Sequence, residues 1–290
     1  MKTSNDRIIE GFIALILFAI GLTTIYPFIY VFSMSISAPE EVLAMRVWLW
    51  PRGFSLESYG MLFENNNLWR GYYNTIWYTV VGTAINIFVT VTFAYPLSRR
   101  DFFARGFFMI LLAVTMFFSG GLIPDFLLIQ KLGLYDTRWA IVLPAAMSAW
   151  IAIMTRVYFQ TSIPDGLTEA AKIDGCSDIG ILARVVLPIS MPIISVIALY
   201  SAVGFWNSYF SALIYLPSAK LQPLQVYLMN VLIKNSPEMN NQFEDAMAKD
   251  MFATQLKYCI IMVSIIPIIC SYPLLQKYFV KGAVVGAIKE

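Results

Sequence analysis

The sequence predicts an all-α integral membrane protein of six transmembrane helices, with a cytoplasmic helical loop between spans four and five. Three observations carry that reading. Of 290 residues, 59% are hydrophobic and only 13% charged, and the mean hydropathy is +0.68, which leaves too little charge to cover a soluble surface. The apolar residues fall in uncharged runs long enough to cross a hydrocarbon core of about 30 Å at about 1.5 Å per residue. Between two of those runs lies a polar stretch, residues 160–185, that carries its own helix start and stop residues.

The chain reads as one transmembrane domain over residues 1–290. Gly11 to Pro39 has no charged side chain. That run is too long for a signal-peptide core and no small-residue cleavage site follows it, so residues 10–35 form the first span. Residues 40–70 make an outer loop whose Trp48, Trp50 and Trp69 suit a bilayer interface. The second span, residues 72–98, stops at Arg99-Arg100. The third, 106–128, has Ser119-Gly120-Gly121 and Pro124 to break or bend its end. Spans four to six are expected at 139–158, 186–216 and 258–277, with an external loop at 218–257 that carries a helical-looking acidic stretch at 242–249. Six spans put both termini on one side. Lys and Arg are denser in the segments that side would hold, and the short Arg99, Arg100, Arg105 cluster weighs most, so both termini and the 160–185 loop are expected in the cytoplasm.

Composition also excludes. There is no His, the commonest metal ligand and general base, and Cys176, Cys259 and Cys270 show no metal or disulfide spacing and read as small apolar fillers. No metal and no cofactor is expected in this chain. A net charge of +2 gives no reason to expect a nucleic-acid partner; membrane lipid is the expected surround. No G-x-x-x-x-G-K-[ST] phosphate loop occurs, so ATP hydrolysis by that route would need another polypeptide. No span holds an ionised residue near its middle, which counts against an ion-coupled carrier and a membrane-embedded hydrolase.

In the cytoplasmic loop, Pro164 suits a first helical turn, and Asp165 and Glu169 place negative charge near the positive end of the helix dipole. Gly175 can take the left-handed conformation that ends a helix, and Ser177 can cap the next one. Leu167, Ala170 and Ala171 share a small, weakly apolar face that a partner could approach closely. In the fifth span Ser201, Gly204, Ser208 and Ser211 recur at spacings of three, four and three, a face that suits close helix packing or pore lining. Beside it stand Trp206, Asn207, Tyr209 and Phe210. Aromatic rings and amides of this kind hold sugars, so Trp206, Asn207 and Tyr209 would suit a carbohydrate path; such residues also serve as packed or lipid-facing groups.

The row Glu169-Ala170-Ala171, Gly175, Val185, Leu187-Pro188 resembles the coupling-loop signature of permease subunits in ATP-binding-cassette importers, with Val185 where Ile is usual. Ile173-Asp174-Gly175 looks like the carbohydrate branch. The likeness runs over about residues 10–290 and includes the Ser119-Gly120-Gly121-Leu122-Ile123-Pro124, Asn207-Ser208, Leu221-Gln222-Pro223-Leu224-Gln225 and Tyr278-Phe279-Val280-Lys281-Gly282 runs. It is similar to the six-span, maltose-permease-like subunit of type I importers, in the branch that takes up oligosaccharides and polysaccharide fragments, including acidic alginate- or pectin-like ones.

The resemblance implies a transport subunit of the bacterial cytoplasmic (inner) membrane, not an enzyme, working by alternating access. The implied partners are a second homologous permease, a homodimeric cytoplasmic ATPase that binds the ATP and Mg, and an extracytoplasmic solute-binding protein. It also implies that Glu169 makes a charged contact with the ATPase, that Ala170 and Ala171 permit close docking, and that Asp174, Gly175, Leu187 and Pro188 belong to the same coupling element. The family's tail can reach the ATPase; here it ends Gly286-Ala287-Ile288-Lys289-Glu290, where a terminal Gly is usual, so that contact stays open. Two other readings remain at this point: an ATP-driven importer of a non-sugar solute, and a secondary carrier acting without an ATPase.

Overall fold

The computed structural model describes residues 4–234 and 251–270. These are helical, and among them the only extended pairing is an isolated antiparallel bridge between Ser37 and Phe54. In chain order the helices are α1 (Ser4–Ser35), α2 (Pro39–Leu43), α3 (Glu57–Glu64), α4 (Asn66–Ser98), α5 (Arg105–Phe117), α6 (Leu122–Lys131), α7 (Trp139–Val142), α8 (Ala149–Ser162), α9 (Asp165–Ile173), α10 (Asp178–Ile181), α11 (Leu187–Ile189), α12 (Met191–Trp206), α13 (Phe210–Tyr215), α14 (Leu224–Lys234) and α15 (Met251–Cys270). Among the described residues two compact units emerge: one from those up to Trp69 with 227–234 and 251–268, the other built on Arg70–Val226.

Three described helices are long and apolar enough to cross a membrane: Ile9–Ser35, Asn66–Ser98 and Met251–Cys270. Two bent pairs also reach that length if each counts as one crossing. The first, α5 with α6, turns through 118° at the Ser119-Gly120-Gly121 run, where Gly121 takes φ +86°. The second bends by 82° between Ile189 and Met191.

The sequence expectation differs from this structure in three places. The apolar stretch 139–158 is not one helix but α7 and α8, of 4 and 14 residues, because Pro144 sits in the turn between them and cannot continue a helix. The stretch 186–216 is interrupted at Ser190 and again at Asn207–Tyr209. The region expected to be an external loop at 218–257 contains α14, and the described residues are already helical from Met251, ahead of the expected start at 258. The 242–249 stretch, residues 271–277 of the sixth span and the C-terminal tail lie outside the described residues.

The first unit is pinned by a polar residue. Gln255 is fully buried; its side-chain carbonyl accepts from Ser58 Oγ at 2.6 Å, and its amide donates to the backbone carbonyls of Ser37 at 2.6 Å and Ser35 at 3.3 Å. Fully satisfied bonds of this kind fix a helix in register. Along α1 none of the apolar crossing window is buried within the chain.

In the second unit the axis is α4 from Arg70 onward, the larger part of a 33-residue helix. At one end Asn74 Nδ2 donates to the carbonyls of Lys220 and Gln222, Tyr78 Oη donates to Leu221 O, and Thr75 Oγ1 accepts from Leu224 N. At the other end the last carbonyls of α4 are capped from α8: Arg156 Nε donates to Leu97 O at 3.0 Å and Gln160 Nε2 to Ser98 O at 3.2 Å. Cationic and amide donors suit the negative end of a helix.

Candidate functional site

Two features of the second unit stand out, a presented helix at one end and a cleft. The helix is α9. Pro164 is its N-cap, with extended backbone at ψ 138°, so the first turn starts one residue later than the proline itself. The end is a Schellman turn: Cys176 N donates to Ala171 O and Gly175 N to Lys172 O, both at 3.0 Å, with Gly175 at φ +79°. That pairing satisfies carbonyls a helix end leaves open and needs a left-handed residue, which glycine supplies without steric cost. Ser177 then caps α10, its Oγ accepting from Gly180 N at 3.2 Å.

α9 is fastened to the rest of the unit by one face. Thr168 and Ala171 are buried. Ala171 packs in a core with Tyr95 of α4, Phe159 of α8, and Val186 and Ile193 around the bend before α12. Arg99 Nη1 donates to Thr168 Oγ1 at 3.3 Å, and its guanidinium lies 4.8 Å from the centre of the Tyr95 ring, a cation–π distance. Lys172 pairs with Asp101 at 3.5 Å, but both side chains are exposed, so this pair adds little.

The other face is exposed. Glu169 and Ala170 are exposed, Glu169 has no ion pair among the described residues, and Ile173 is 87% exposed. These lie three and four positions apart and point one way. The face expected from sequence, Leu167 with Ala170 and Ala171, is therefore split. Ala171 serves the protein's own core, and Ile173 is the apolar residue that is presented. Asp174 and Gly175 are exposed in the turn.

Leu187 is half-buried and Pro188 exposed, both in α11. Residues Leu182–Val186 form a π-helical turn immediately before them. Pro188 has no N–H and its ring would crowd the carbonyl of residue 184 in α-helical geometry, and the wider π turn relieves that clash. A second proline, Pro192, opens α12 after the bend at Ser190.

The cleft has a volume of about 410 Å³. Asn207 and Tyr209 line it, and so do all four small residues Ser201, Gly204, Ser208 and Ser211. The face that reads as one helix stripe is thus a cleft wall that continues across a break in the helix. Trp206 is not part of that wall. It is the last residue of α12, 9% exposed, and lies two positions from Gly204, on nearly the opposite side of the helix.

Two contributors escape a reading of the fifth span alone. Asn86 of α4 lines the cleft, is 4% exposed, and donates to Ala145 O at 2.9 Å. Gly82, one turn earlier, lets the backbone of α4 meet the Phe205 ring: a Cβ there would lie 2.5 Å from Phe205 Cζ. An amide side chain and a glycine inside a mostly apolar run are the signals the sequence offers.

Residues 60–285 match the family described as binding-protein-dependent transport system inner membrane component. The chain belongs to this family. As such a transport component it is similar over 98% of its length, at 40% identity, to the polygalacturonan/rhamnogalacturonan transport system permease protein YtcP of Bacillus subtilis (strain 168), covering 98% of that protein. Protein LplC of the same organism is 38% identical over 99% of this chain and 97% of its own. Among solved structures, a chain from the crystal structure of a bacterial ABC transporter involved in the import of the acidic polysaccharide alginate superposes with a TM-score of 0.88 at 36% identity, covering 96% of this transport component and 99% of that chain.

Proposed function

We propose that this inner-membrane transport component is one permease subunit of an ATP-binding-cassette importer that carries oligosaccharides or polysaccharide fragments into the cytoplasm by alternating access. The observation that carries the proposal is the presented face of α9, Glu169, Ala170 and Ile173, on a helix whose opposite face is locked into the core. A helix held in this way transmits force. A cytoplasmic ATPase that grips the free face moves Ala171 and Thr168 with it, and through them the Tyr95–Phe159–Ile193 core from which α12 runs to the cleft. Six crossings, cytoplasmic termini, a homodimeric ATPase that holds ATP and Mg, a second permease and an external binding protein complete the proposed assembly. Asn207 and Tyr209 would line the sugar's path; Trp206 is left out of it. The substrate class is supported by the similarity to permeases of polygalacturonan/rhamnogalacturonan and alginate transport.

The test is purification of the tagged chain from native membranes beside Glu169→Lys, with ATPase activity and glycan uptake assayed in proteoliposomes. Glu169 is exposed, so the substitution removes no packing among the described residues, and the amount of variant in the membrane is measured alongside. The expected result is an ATPase that co-purifies with the wild type, is stimulated by pectin- or alginate-type fragments, and is uncoupled or lost in Glu169→Lys. Uptake by the chain without an ATPase, or unchanged coupling in the variant, overturns the proposal.

A further inference from the structure

The cleft says more about its ligand than the importer reading, on which this inference rests, requires. None of its described lining residues is charged. Its polar groups are the amides of Asn86 and Asn207 and the hydroxyls of serine and tyrosine, set among the faces of Phe205 and Phe210. Ser201 is 7% exposed, and its Oγ is buried without a hydrogen-bond partner in the structure. A serine in a helix ordinarily returns its hydroxyl to a carbonyl one turn back. Ser195, in the same helix, does so, donating to Met191 O at 2.8 Å, but Ser201 does not. Leaving a buried hydroxyl unpaired is unfavourable, and because Ser201 lines the cleft, a change of its χ1 rotamer would bring the hydroxyl to a partner that arrives with a ligand.

Asn86 narrows the chemistry. Its amide nitrogen already donates to Ala145 O, while its carbonyl oxygen receives only a long 3.4 Å contact from Thr90 Oγ1. What remains on that side is an acceptor. An acceptor matches a hydroxyl, which can donate, and repels a carboxylate, which can only accept. A carboxylate moved into a site with no cation would also lose its hydration without replacement.

We infer that this subunit contains a glycosyl-binding site, built on Asn86, Ser201 and Asn207, that recognises a neutral, hydroxyl-presenting face of the sugar and not a carboxylate. Any carboxylates of an acidic fragment point away from this wall during passage.

The experiment measures glycan binding to the purified membrane complex of permeases and ATPase, with the extracytoplasmic binding protein left out so that its own selectivity does not enter. The probes are polygalacturonan fragments and the same fragments after reduction of their carboxylates to primary alcohols. Ser201→Ala and Asn207→Ala each weaken binding by about fivefold, the effect of one net hydrogen bond, and by the same factor for the acidic and reduced forms. Ser201→Ala leaves the thermal midpoint of the ligand-free complex unchanged or higher, since no bond within the protein is lost; a merely structural serine would lower it. A weakening confined to the acidic form, no weakening in either variant, or no binding of either probe overturns the inference. The importer reading is judged separately, by ATPase coupling.

Discussion

The presented helix α9 and the cleft belong to the same unit, yet they are made in different ways. α9 is assembled from neighbours in sequence: a proline before it, a Schellman turn after it, a serine cap on the next helix, all within residues 164–180. The cleft is assembled from α4, α7 and α8 with the turn between them, and α12 and α13 with the break at Asn207–Tyr209. Local hydrogen-bonding rules specify the first. Non-local packing specifies the second, and a break in a helix, normally a defect, there becomes the means of turning small side chains into a wall.

Breaking the local rule has the largest expected effect. At Gly175 a side chain must adopt φ +79°, which costs about 1–2 kcal/mol for an ordinary L-residue and more for a β-branched one. Gly175→Val therefore opens the turn, misplaces Cys176 and Ser177, and abolishes ATPase-coupled uptake. Gly175→Asn, which tolerates the left-handed region, retains most of it. Uptake rates of the two variants, normalised to protein in the membrane, check the prediction. Equal loss in both would show that the side chain, not the backbone, is at fault.

The same contrast decides what could be read from sequence. Gly175 and Ser177 were legible because their roles depend on residues within one turn. The long α1 and α4 were legible as uncharged lengths, and the glycine run before α6 as a bend. Length and polarity do not distinguish one helix from two joined by an apolar turn, so 139–158 reads as a single span by those criteria, although Pro144 is the residue in the sequence that marks the break. Ala171 and Ala170 are adjacent, about 100° apart on a helix, and spacing alone cannot say which of them faces the core. Trp206 looked like a sugar platform because aromatic chemistry is visible in sequence, whereas the side on which α12 meets α4 is not. Gly82 could not be assigned at all, since its role exists only through Phe205, far along the chain.

Gly82→Ala tests the non-local side. The added methyl would lie 2.5 to 2.8 Å from three atoms of the Phe205 ring, which is only 4% exposed and lines the cleft. The ring must shift from its packed position toward the cleft, and overpacking of this kind costs about 1–3 kcal/mol. The variant should lower the thermal midpoint of the complex and weaken glycan binding, while the ATPase still co-purifies. Adding Phe205→Leu should recover much of the stability. If the double variant is no better than the single one, the close approach at Gly82 is not what shapes the cleft.

The smallest effect is expected on the presented face of α9, and its value lies in separating folding from docking on one short helix. Ile173 is 87% exposed, so Ile173→Ser removes no packing within this chain, and its thermal midpoint should stay within the narrow range typical of surface substitutions. Against a partner, burying that side chain is worth at most about 1.5–3 kcal/mol, part of which is offset by ordering at the interface. Co-purification of the ATPase should therefore fall several-fold rather than vanish. Ala171→Leu, two residues earlier on the buried face, should do the reverse: it overfills the core with Tyr95 and Phe159 and lowers the thermal midpoint, with docking lost only as far as folding is. Measured side by side, the two variants place the boundary between the face that holds the helix and the face it offers. A fall in midpoint for Ile173→Ser, or none for Ala171→Leu, would put that boundary elsewhere.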